Sequence, residues 1–81
     1  MKTIVKNLIT KEETIFVNDL SLTENIVNTI ICNSNRTGDL LNPKHREEIK
    51  QKYSIVERKS TITGRRFAYC QVKDLHAKYD I

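Results

Sequence analysis

The chain has 81 residues, 38% of them hydrophobic and 30% charged, with a formal net charge of +4. That length provides one hydrophobic core in a single small domain, 1–81, and a core of this size supplies only roughly 3–5 kcal/mol. No apolar run approaches the roughly 20 residues of a membrane-spanning helix, and charges follow too soon in MKTIVKNLITKEE for a secretory signal, so a soluble cytoplasmic protein without membrane contact is expected.

The first segment, TIVKNLITKEETIFVNDL, reads as two β runs, Thr3–Leu8 and Thr14–Val17, joined by a polar turn at TKEE. Thr, Ile, Val and Phe favour strands, and the spacing suits a hairpin. The period then changes. In SLTENIVNTIICN, Leu22, Ile26, Val27, Ile30 and Ile31 form one helical stripe, and Ser21 with Glu24 fits a capping box. This helix should lay its apolar face on the sheet.

SNRTGDLL breaks the pattern, with Gly38 permitting a tight turn. Asn42 followed by Pro43 is a helix start: a capping side chain, then proline where no backbone donor is needed. The helix PKHREEIKQK offers the core only Ile49, aided by Tyr53, so it should be peripheral. YSIVERKST and RRFAYCQVK complete a second hairpin around TITG, and DLHAKYDI is expected as a short tail. The expected fold is α+β: two hairpins in one antiparallel sheet, ordered β-β-α-α-β-β, backed by one amphipathic helix with a second, polar helix beside it.

The charge is uneven. Residues 1–43 carry a net −1, residues 44–73 a net +6, and the tail −1. Such asymmetry favours an anionic partner, nucleic acid or an acidic protein face, over a charge run that serves only solubility. Within the basic half, GRRFAYCQV sets two arginines beside two aromatic rings. Alternation puts Phe67, Tyr69 and Gln71 on one sheet face and Ala68, Cys70 and Val72 on the other. The small set can lie beneath the helix, which would leave the rings outward; the reverse arrangement would make the rings core. Outward rings beside cations are the elements of a single-strand nucleic-acid surface, in which each base stack contributes about 1–3 kcal/mol. The candidate binding residues are Lys44, Arg46 and Lys50 on the polar helix, Arg58, Lys59, Arg65 and Arg66 on the second hairpin, and Phe67 and Tyr69.

The residues supply little for chemistry. Cys32 and Cys70 lie far apart among apolar neighbours, without metal or thiol-exchange spacing, and are expected as reduced core residues. His45 and His76 stand apart from each other and from the cysteines, and no glycine-rich phosphate loop is present. Glu47 and Glu48 are adjacent on a helix and diverge, a poor acid/base pair. A small ribonuclease would need a proton shuttle and phosphate stabilisation, which His45, Arg66 and Tyr69 would have to supply, but nothing in their spacing joins them. No enzyme activity, cofactor or metal is expected.

Arg65, Phe67, Ala68 and Tyr69 resemble the RNP1 strand of RNA-recognition motifs, with Arg66 where that family has glycine. IFVNDL looks like the partner strand, RNP2, followed by a capped helix. The resemblance implies Phe16, Phe67 and Tyr69 as stacking residues. The opening MKTIVKNLITKEETIFVNDLSLTENIV and the ending AYCQVKDLHAKYDI also resemble small accessory proteins of tailed phages. Proteins of that pool bind and block host machinery, including RNA polymerase, nucleases and CRISPR effector complexes. The expected partner is therefore nucleic acid or a host protein or nucleoprotein complex. The edge strands that two hairpins leave make a homodimer plausible.

Overall fold

The structure, a computed structural model, describes residues 2–33 and 42–80. Strand β1 (Lys2–Asn7) and strand β2 (Glu13–Val17) form the first hairpin, followed by helix α1 (Leu22–Asn33) and helix α2 (Pro43–Lys52). Strands β3 (Val56–Lys59), β4 (Arg66–Cys70) and β5 (Leu75–Tyr79) then run as a meander. All five strands join one antiparallel sheet in the order β2-β1-β5-β4-β3. The expected α+β class, both hairpins and both helices are present. The turn expected around Gly38 lies outside the described residues.

The expected tail is the exception. β5 is the central strand, paired with β1 on one side and β4 on the other. β4 ends at Cys70, and a 3₁₀ turn, Gln71–Lys73, with Asp74 in the left-handed region (φ 52) reverses the chain. Gln71 and Val72 therefore do not continue the strand alternation, and Val72 is exposed.

The two β hairpins close with the same backbone turn. Asn7 N–H donates to Glu12 O and Lys11 N–H to Asn7 O, both at 2.8 Å. Ser60 N–H likewise donates to Arg65 O (2.8 Å) and Gly64 N–H to Ser60 O (2.9 Å). Each turn needs one residue at positive φ, filled by Lys11 (φ 67) in the first and Gly64 (φ 71) in the second; glycine adopts it without the Cβ clash.

The stripe Leu22, Ile26, Val27, Ile30 and Ile31 is buried as expected, and α1 lies across β1, β4 and β5. Beneath it the sheet offers Val5, Ala68, Cys70, Leu75 and Ala77, with Ala68 directly opposite Ala77. Ser21 Oγ accepts the Glu24 N–H (3.2 Å), which is half of the capping box. The Glu24 carboxylate turns instead to α2, where it pairs with Arg46 and Lys50. Asn42 caps α2 through Oδ1, accepting from Lys44 N–H (3.1 Å) and His45 N–H (3.4 Å). α2 buries Ile49, with Tyr53 packed partly against the core. Cys70 is buried, but Cys32 is exposed rather than core, because it falls off the apolar stripe of α1; both are free thiols. No helix among the described residues is long and apolar enough to cross a membrane.

Two substitutions on the helix-covered face should act in opposite directions. Ala77→Leu inserts bulk where neither Ala77 nor Ala68 has any exposure and should destabilise the fold by about 1–3 kcal/mol. Thr3 is buried, and its hydroxyl has no hydrogen-bond partner among the described residues. Thr3→Val should therefore be neutral or stabilising by up to about 1 kcal/mol. Urea denaturation of both variants checks the pair.

Candidate functional site

Strand alternation decides which residues face outward. Ala68 and Cys70 lie under α1, so Phe67 and Tyr69 occupy the opposite face, as do His76 and Lys78 of β5. Register puts Tyr69 opposite His76 and Phe67 opposite Lys78. The Phe67 ring stacks on Tyr69, with centroids 6.3 Å apart and planes at 22°, and on His76, at 5.6 Å and 16°. Three half-buried rings thus cluster near the middle of the sheet, Tyr69 and His76 side by side across the β4–β5 ladder and Phe67 against both.

The neighbours of the cluster follow from the same pairing. Arg58 on β3 stands opposite Phe67, and Val56 opposite Tyr69. On the other side Ile4 stands opposite Lys78 and Lys6 opposite His76. Arg58, Lys6 and Lys78 therefore surround the rings, and Glu13, opposite Lys6, is the nearest carboxylate across the ladder. Two hollows flank the rings. One, about 160 Å³, is lined by Arg65, Arg66, Phe67, His76 and Lys78, with Tyr79 at its edge; the other, about 270 Å³, by Ile4, Lys6, Glu13 and His76.

Burial lowers the pKa of His76, and the charges of Lys78 and Lys6 lower it further. The imidazole is accordingly neutral at pH 7, which suits it to stack beside Phe67 rather than to act as a fixed cation. His76 was not among the sequence-based candidates, because it lay in the expected tail. The alternation of Leu75, Ala77 and Tyr79 with His76 and Lys78 is the signal that marks the strand.

The sequence-based candidates separate into groups. Phe67, Tyr69 and Arg58 meet on the open face, Arg65 lies beside it just before β4, and Arg66 opens β4 on the helix side while lining the small hollow next to Phe67. Lys59 falls on the other side of β3 by alternation and is exposed. Lys44 is exposed on α2, away from the rings. Arg46 is built into the fold: its Nε donates to Glu24 Oε2 (3.1 Å), its Nη1 to Asn28 Oδ1 (2.7 Å) and its Nη2 to Glu24 O (3.2 Å). Lys50 pairs with Glu24 and with Glu47 (3.2 Å). Burial alone would raise the Glu24 pKa, but the hydrogen bonds from Lys50 and Arg46 outweigh it and hold the carboxyl below its ordinary value. The Glu24 bond correspondingly raises Lys50.

Phe16, implied as a stacking residue by the RNP2-like segment, faces the helix side opposite Thr3 and packs against the core. β2 and β4 are also separated by β1 and β5, so the two RNP-like segments are not neighbouring strands. His45, Arg66 and Tyr69 are not assembled into one site. His45 lies on α2 beside Glu48 (3.9 Å), Arg66 on the helix side by alternation, and Tyr69 on the open face. Among the described residues, no cluster of three His, Cys, Asp or Glu side chains could hold a metal ion. A larger groove, about 460 Å³, lies on the helix side over Ile30, Ile49 and Leu75. Lys52 and Lys73 sit over the Tyr53 ring at its wall, at 5.4 and 5.0 Å. No protein-family model matches the chain, and neither does any curated protein or solved structure.

The depressed His76 pKa fixes a pH response. The unfolded chain takes up the imidazole proton near pH 6.5, before the folded chain does, so stability should fall as pH drops from about 6.5 to the lower folded value. His76→Phe keeps a ring and should remove this limb in thermal melts across pH. The Glu24 contribution, of opposite origin, is lost only at lower pH, as its depressed carboxyl finally protonates, and should persist in that variant.

Proposed function

We propose that the protein is a non-enzymatic binding module that holds single-stranded nucleic acid on the open face of its sheet. One observation carries the reading: the half-buried Phe67, Tyr69 and His76 rings cluster on the sheet face opposite the helix, Phe67 within 6.3 Å of Tyr69 and 5.6 Å of His76, with Arg58, Lys6 and Lys78 around them. Ring pairs across a ladder also stabilise the sheet itself, but half-exposed rings with cations beside them additionally offer unstacked bases about 1–3 kcal/mol each. Arg58 and Lys78 stand opposite Phe67 and Lys6 opposite His76, so a strand laid over the rings would run past these cations. Arg65 adds a further cation beside the hollow next to Phe67, just before β4.

Duplex DNA keeps its bases inside and cannot use the rings, so the reading favours single strands over duplex. The likeness of the chain ends to phage accessory proteins supplies a setting: the strand held here would belong to, or be withdrawn from, a host gene-expression or defence machine. Engagement of that machine through the same face is the biological form of the proposal.

Fluorescence anisotropy with labelled single-stranded RNA, single-stranded DNA and duplex DNA tests it. Binding should favour single strands and weaken with salt at a log–log slope of about −2, for roughly three neutralised phosphates. Phe67→Ala and Tyr69→Ala should each weaken binding roughly 5- to 150-fold with the fold retained by circular dichroism. Lys44→Ala, distant from the rings, should change little. Absence of single-strand binding at near-physiological salt, or folded ring variants that bind as well as the parent, would overturn the reading and leave the basic hairpin as a protein-docking surface.

A further inference from the structure

The two edges of the sheet are chemically unlike. β3 carries Glu57, Arg58 and Lys59 in its four residues, the charged edge that discourages pairing with another chain. β2 carries Thr14, Ile15, Phe16 and Val17 after Glu13, with no charge in its interior. It is an unprotected edge of ordinary strand length.

The hydrogen bonds around β1 show which β2 groups lack partners among the described residues. Asn7 N–H donates to Glu12 O, so the bonded pairs of the β1–β2 ladder are the alternate ones, Val5 with Thr14 and Thr3 with Phe16. On its other side β1 bonds through even-numbered residues, as the Leu8 N–H to Asp74 O and Asp80 N–H to Lys2 O bonds require. The backbone N–H and C=O groups of Glu13, Ile15 and Val17 therefore point off the edge of the sheet. The same residues turn their side chains to the open face, where Ile15 is 55% and Val17 75% exposed. Outward backbone groups and outward apolar side chains thus coincide on one short strand.

We infer that β2 pairs with β2 of a second copy of this chain, antiparallel about a two-fold axis at Ile15. This register overlaps both strands over their whole length. It sets Ile15 against Ile15 of the second copy and Glu13 against its Val17, so no two carboxylates oppose each other. Every outward N–H and C=O of Glu13, Ile15 and Val17 finds a partner. Because Ile4 lies opposite Ile15 within each chain, a row of isoleucines runs unbroken across both β1 and both β2 strands on the open face. A two-fold axis perpendicular to the sheet keeps both α1 helices on one side and both ring clusters on the other. Five strand spacings then separate the two β5 strands, roughly 24 Å.

The pairing of two short strands buries less than the roughly 1,200–2,000 Å² of a standard stable interface, so the association is reversible and concentration-dependent. Sedimentation equilibrium should show a mass rising toward twice the 9.5 kDa of the chain. Ile15→Lys should remain folded and monomeric. Cys32→Ser/Ile15→Cys, which sets two thiols side by side across the axis as a hydrogen-bonded strand pair, should cross-link with a short bismaleimide. Cys32→Ser/Ile62→Cys, with its thiol at the most exposed apolar position of the second hairpin, should not. A parent protein that stays monomeric up to about 1 mM, or a dimer that forms no Ile15→Cys cross-link, overturns the inference. If Ile15→Lys fails to fold, the cross-link decides alone. These readouts are mass and covalent linkage, so they stand whether or not the protein binds nucleic acid.

Discussion

Ala68 and Ala77 face each other across β4 and β5, fully buried beneath α1, and this close approach of helix to sheet orders everything around it. Small side chains under the helix let Leu22, Ile26, Val27 and Ile31 reach the sheet, with Val5, Cys70 and Leu75 filling the flanks. Strand parity then leaves no choice for the residues between. Once Ala68, Cys70, Leu75 and Ala77 are covered, Phe67, Tyr69, His76 and Lys78 must emerge on the other face. The ring cluster is therefore a geometric counterpart of the core: a bulky residue where Ala77 stands would disturb the helix contact and the cluster together.

A second, polar layer holds the helices to one another. Asn18 and Asn25 exchange side-chain hydrogen bonds (3.0 and 3.1 Å), Asn28 donates to Asn25 (3.2 Å), and Arg46 closes the chain onto Asn28 and Glu24. This ladder supplies partners for polar groups on a helix whose other side is wholly apolar. It also redistributes the charge. Arg46 and Lys50 are committed to Glu24, and Lys52 and Lys73 lie over Tyr53. Positive charge on the open face comes instead from Arg58 together with Lys6 and Lys78, two residues from stretches whose net charge is −1. The sign of a segment in the sequence is thus a poor guide to the sign of the surface that it joins.

Local signals in the chain carry local structure faithfully. The α1 stripe, the Asn42–Pro43 start of α2 and the first hairpin follow from periodicity and capping, because each is decided within a few residues. β5 was not legible as a strand because LHAKY is short, carries two basic side chains and follows a turn made by Asp74 rather than by glycine. Losing β5 also lost His76. Arg46 and Glu24 are 22 residues apart, so no local rule separates a structural arginine from a surface one. In TIFV the largest side chain, Phe16, points inward while Ile15 and Val17 point out; β propensity is silent on that choice, which the pairing with β1 makes.

The placement of β5 bears on how the chain reaches this state. The central pairing of the sheet joins Thr3 to Tyr79, near opposite ends of the sequence. The β1–β2 hairpin and the β3–β4–β5 meander can each close through short turns, yet neither has a complete sheet until β5 docks on β1. The step that unites them must confine the longest loop in the molecule, a cost in chain entropy that local contacts cannot offset in advance. Folding speed is therefore set by the docking of two locally formed pieces, and until it occurs the facing edges of β1 and β5 are open to any other strand in the solution.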